Sequence, residues 1–177
     1  AYNPMSYHNG SVWPHDNGLI VGGLMRYGFV EHAQRVALGI LDAAAAFNHQ
    51  LPELICGFDR AVYQRPVPYP TACAPQAWAS ATPLYLLRAL IGAEPCIPRG
   101  LLGLDPGLPD ELGSLQVRGV SVGNMRVTLV IQDGRSRVEG LRDGIEVVTG
   151  HQPCHWQEDE AVRTVGSGPQ LRRIKGD

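Results

Sequence analysis

The chain has 177 residues, of which 44% are hydrophobic and 18% charged, and a formal net charge of -2. That composition predicts one domain, or one domain with a small appendage, around a packed core, and it excludes global disorder. With no lysine-arginine block and no apolar run near the ~20 residues of a membrane-spanning helix, neither nucleic acid nor a membrane is an expected partner.

No signal-peptide pattern opens the chain. The first residue is Ala1 rather than Met, which reads as processing, trimming or excision from something longer. Cys56, Cys73, Cys96 and Cys154 match neither a CxxC pair nor a dense disulfide framework. Thiols in a reducing compartment are the simpler reading, and a cytoplasmic setting follows. A Cys56–Cys73 bridge is the alternative, because both lie in one long loop.

Residues 1–16 are irregular, broken by Pro4, Gly10 and Pro14. Asp16 or Asn17 offers an N-cap for a first helix, "NGLIVGGLMRYG". Gly22 and Gly23 within it point to close packing of helices, since glycine otherwise weakens a helix. "VGGL" is not a phosphate loop: it lacks the GK[ST] ending and sits in mid-helix. Gly28 is a plausible stop.

"VEHAQRVALGILDAAAAFN" predicts a second helix. Residues 49–74 hold too many prolines for a helix and too many apolar residues for disorder, so they read as an ordered, packed loop. "PQAWASATPLYLLRALIG" predicts a third helix, apolar over much of its circumference and therefore buried on several sides.

Residues 93–113, rich in proline and glycine, read as a linker. The period then changes to two. "SLQVRGVSVG", "MRVTLVIQDG" and "SRVEGLRDGIEVVTG" predict three or four antiparallel strands with Asp-Gly turns at 133 and 143. The tail from His151 has weak patterning and reads as disordered. Its His151, Cys154 and His155 lack an evident fourth ligand for zinc.

The helices are joined by a short turn and then by a long loop. The first two are thus antiparallel neighbours, and segments 1–16 and 49–74 belong at one end of the helical layer. That places the most chemically capable stretches side by side, on loops held by a scaffold. Three helices, one apolar nearly all round, predict partner helices outside this chain.

Three blocks in this order, "YNPMSYHNGSVWPHDNGLIVGGLMRYG", "LPELICGFDR" and "YPTACAPQAWASATPLYLLRALIG", resemble the C-terminal part of bacterial amylo-alpha-1,6-glucosidase, or glycogen debranching-like, proteins. The resemblance is strong over residues 2–92, and the segment near 112–149 is similar to the small C-terminal unit of those proteins. It implies a mainly α fold, a partial (α/α)6 toroid of the six-hairpin glycosidase type, followed by a small antiparallel β unit. The implied units are barrel helices and active-site loops (1–92), linker (93–113), β unit (114–150) and tail (151–177).

The same resemblance implies an inverting glycoside hydrolase acting on an alpha-glucosidic bond in an oligosaccharide or small glucoside. Inversion needs two carboxyls about 6.5–9.5 Å apart, an acid for the leaving oxygen and a base for water. By position Glu53 is similar to the base. Tyr7, His8, Trp13, His15 and Asp16 look like the wall of the sugar site. Nothing in the chain matches the family's acid motif, which implies dependence on an upstream half of the same barrel and no activity alone.

Bland readings stand beside these. The alternatives are Glu53 as a solvated loop residue, Asp16 as a cap, Asp59 as a loop ion pair with Arg60, and Trp13 as core. His8, His15 and Asp16 fit no metal-ligand spacing, and no cofactor is expected. A non-catalytic carbohydrate-binding or interaction module derived from such an enzyme is the alternative function. A degraded reading frame is a weaker third.

Overall fold

A computed structural model describes residues 1–132 and 134–149. The described residues form three α-helices and two three-stranded sheets. The helices are α1 (Pro14–Arg26), α2 (Val30–Ala46) and α3 (Ala77–Ile91). The strands are β1 (Ala93–Cys96), β2 (Leu101–Leu104), β3 (Leu115–Val122), β4 (Met125–Gln132), β5 (Arg135–Glu139) and β6 (Glu146–Val148).

This corrects the mainly α, partial (α/α)6 toroid that the resemblance implied. The helices do not alternate between an inner and an outer ring. α1 packs against both α2 and α3, and α2 also touches α3, so the three enclose one core. Val21, Met25, Ala37, Ile40, Leu86 and Leu90 are buried there. Strands contribute a comparable second core. Leu102 and Leu104 of β2 meet Val127, Leu129 and Ile131 of β4, and Ile91 enters from the end of α3. Leu108 touches both cores.

Residues 93–113, expected as a linker, carry β1 and β2. Their proline and glycine content hid the buried positions Cys96, Leu102 and Leu104. β1 pairs antiparallel with β2, and β2 pairs parallel with β6. The last predicted strand region therefore divides: β5 stays antiparallel to β4, while β6 crosses to the other sheet. In β4 Met125, Val127, Leu129 and Ile131 are buried on one face, and Val130 is also buried on the other.

The helix ends follow local chemistry. α1 begins earlier than an Asp16 or Asn17 cap would require. Trp13 occupies the N-cap position without a side-chain cap bond, and Pro14 opens the helix. Proline suits that position because its φ is already helical and its missing N–H has no partner to lose. Asp16 thus falls in the first turn, where a negative charge meets the positive end of the helix dipole. Gln76 caps α3, its side chain accepting from Ala79 N at 2.8 Å. α3 ends on Gly92 at φ 62°, the left-handed conformation glycine adopts without strain.

Gly22 accounts for the close approach of α1 and α3: a Cβ there would lie 2.5 Å from the Tyr85 hydroxyl. Gly23 does not share that role, since a Cβ on it meets nothing within 4 Å.

The helical layer places 1–13 and 49–74 at one end, as the connectivity required. Val12 and Ile55 exchange backbone hydrogen bonds at 2.8 and 2.9 Å, and Ile55 also bridges to Pro68. Gly57 N donates to Pro4 O at 3.0 Å, and a Cβ on Gly57 would collide with the Gly10 carbonyl. The long loop is thus ordered by backbone pairing with the segment before α1. Cys56 and Cys73 are free thiols, so the bridge considered between them is not formed. The tail's His151, Cys154 and His155 lie outside the described residues.

Candidate functional site

Glu53 sits in "LPELIC", a run in which every other residue from Leu51 to Cys56 is buried. Its neighbours anchor the loop in the core, which leaves the Glu53 carboxylate as the group directed outward. Two bonds to the backbone of Cys73 hold its position from the far side of the loop, one from the Glu53 backbone and one from its carboxylate. Glu53 N donates to Cys73 O at 2.9 Å, and Cys73 N lies 3.4 Å from Glu53 Oε2.

The other carboxylate oxygen accepts from the Tyr7 hydroxyl at 2.7 Å. This bond pushes the Tyr7 phenol above its ordinary range, with burial and the negative charge of Glu53 acting in the same direction. Tyr7 therefore stays protonated and acts as a donor. Its ring is held edge-on by Trp13 at 4.7 Å and by Tyr69 at 5.7 Å between centroids.

Trp13 organises the segment. Its indole N–H donates to Tyr7 O at 3.0 Å, and Asn17 Nδ2 donates to Trp13 O at 2.8 Å. The His8 ring lies parallel to the Trp13 ring at 6.0 Å. With one polar edge committed to backbone and a histidine over its ring, Trp13 supports the wall more than it offers a bare stacking face. A cavity of about 380 Å³ opens beside it, lined by His8, Ser11, Trp13, Asp16, Asn17 and Ile20.

His15 lies between Trp13 and Trp78, at 5.6 and 5.0 Å. Its Nε2 is 3.2 Å from Asp16 Oδ1, while its buried Nδ1 has no hydrogen-bond partner among the described residues. His15 and Asp16 thus form a local pair at the start of α1.

The predicted residues therefore divide. Tyr7, Trp13 and Glu53 form one connected cluster, with His8 over its rim. His15 and Asp16 pair with each other, and Asp16 reaches the cavity but not Glu53's hydrogen bonds. Asp59 is a turn residue: its Oδ1 accepts from Ala61 N at 2.8 Å. Arg60 pairs not with Asp59 but with Asp42 of α2, at 2.9 Å. Tyr69, Cys73 and Trp78 were missed as site residues. Their roles depend on contacts across the fold, and no local spacing marks them.

No group of three or more His, Cys, Asp or Glu side chains among the described residues is placed to hold a metal ion. No described helix is long and apolar enough to cross a membrane. No known protein family and no curated protein matches this chain.

Proposed function

We propose that Tyr7 and Glu53 form the general-base half of an inverting glycoside hydrolase acting on alpha-glucosidic bonds, of the glycogen debranching-like kind. The observation that carries this is the constrained Glu53 carboxylate, bonded by Tyr7 on one oxygen and approached by a backbone N–H on the other. A general base must be ionised and aimed at its water. These donors fix the direction of the carboxylate, and the cavity beside Trp13 and His8 supplies room for a sugar.

The reading assigns the acid to a separate segment, because nothing in the sequence matches the acid motif of that family. It also carries an oligosaccharide or glucoside substrate and a cytoplasmic role in carbohydrate metabolism. A fluoride leaving group needs no protonation, so alpha-glucosyl fluoride tests the base alone. The chain turns it over and Glu53→Gln does not, while ordinary glucosides are not cleaved without the acid.

A second reading, a carbohydrate-binding module without chemistry, is favoured by the same incompleteness of the carboxyl pair. It predicts glucan binding by titration calorimetry with no turnover of the fluoride.

A further inference from the structure

A second cavity, of about 440 Å³, lies between α2 and the segment 55–67. Its size falls within the about 300–1,000 Å³ of small-molecule sites. Val36, Ile40 and Ala43 of α2 form one wall, and Ile55, Phe58 and Val67 face them. The Phe58 and Tyr63 rings pack together at 4.7 Å, which stiffens that side.

Charge is distributed unevenly around this apolar interior. Arg35, Arg60 and Arg65 line it against a single carboxylate, Asp42. Asp42 is already paired with Arg60 at 2.9 Å, and neither Arg35 nor Arg65 forms an ion pair among the described residues. Both are exposed at the cavity's margin. Gly39 also lines the space, and a Cβ there would meet nothing within 4 Å. Glycine inside a helix lowers its stability, so Gly39 trades helix strength for open volume.

We propose that this cavity binds a small amphipathic carboxylate, with the apolar body between α2 and Phe58 and the carboxylate at Arg35 and Arg65. Guanidinium forks match carboxylates in plane and in charge, and the apolar walls favour a hydrocarbon or aromatic body over a sugar. The site is separate from the Tyr7–Glu53 cluster and does not depend on the hydrolase reading.

The test is titration calorimetry of the full chain with octanoate, octanol and octylammonium. Octanoate binds saturably, octanol binds at least about tenfold more weakly, and octylammonium does not bind. The double variant Arg35→Gln, Arg65→Gln reduces octanoate to the level of octanol. Gly39→Leu fills the cavity and removes both. Absence of saturable octanoate binding, equal affinity for octanol, or unchanged octanoate affinity in the double arginine variant overturns the proposal. The arginines are exposed, so that variant remains informative even where Gly39→Leu fails to fold.

Discussion

The Tyr7 hydroxyl and Glu53 Oε1 lie 2.7 Å apart, joined across 46 positions of sequence. The bond ties the segment before α1 to the long loop, on the side chains rather than on the backbone. Tyr7→Phe removes the donor and leaves the ring. In turnover of alpha-glucosyl fluoride, kcat falls about tenfold, the scale of one charge-assisted hydrogen bond, with KM little changed.

The same bond sets a pH dependence. The phenol is raised above its ordinary value in the folded chain, chiefly by the bond to Glu53. Its contribution to stability is fully present below the unfolded pKa of about 10 and is lost as pH rises through the higher folded value. Thermal melts of the wild type and Tyr7→Phe should differ by a constant amount from pH 7 to about 9 and converge at more alkaline pH. A difference that grows with alkalinity contradicts the assignment.

Two glycines should respond in opposite senses to alanine. Gly57 faces the Gly10 carbonyl, where a Cβ has no room. Gly57→Ala should cost about 1–3 kcal/mol, because backbone on both sides must move. Gly23 lies in the interior of α1 with open space before it, so Gly23→Ala should stabilise by about 0.5–1 kcal/mol. Denaturant melts read both.

Leu84 and Leu86 stand two residues apart on α3, 72% and 0% exposed. Leu86→Ala should cost about 2–5 kcal/mol through the cavity it leaves. Leu84→Gln should change stability by no more than about 0.5 kcal/mol. Leu84, Trp78 and Leu19 are exposed large apolar residues, so any self-association seen in sedimentation should fall when the three are replaced together by polar residues.

The helices were legible because their signals are local. The alanine and leucine spacing of α2 and the proline-to-glycine frame of α3 needed no tertiary information. The placement of segments 1–16 and 49–74 at one end followed from the connectivity, whereas the Val12–Ile55 pairing that joins them did not. The start of α1 was misread because aspartate and asparagine signal caps strongly, whereas Pro14 had already set the helix direction. β1 and β2 were hidden by punctuation residues. Their burial depends on β4 and on the return of β6, which is long-range information. The breadth of the apolar surface on α3 was also misjudged: Trp78 and Leu84 are exposed. At the candidate site, the aromatic and polar run from Tyr7 to Asp16 stood out by composition, whereas Glu53 was marked by the family resemblance. Tyr69 and Cys73 did not stand out, since their contribution is a ring edge and a backbone contact supplied by the fold.

In the proposed function, Glu53 acts as a base on water attacking an alpha-glucosyl centre. The direct measurement is proton NMR of alpha-glucosyl fluoride incubated with the chain, following the anomer first released. The proposed base role predicts beta-glucose from the wild type and none above background from Glu53→Gln. Full turnover by folded Glu53→Gln, or alpha-glucose as the first product, contradicts it.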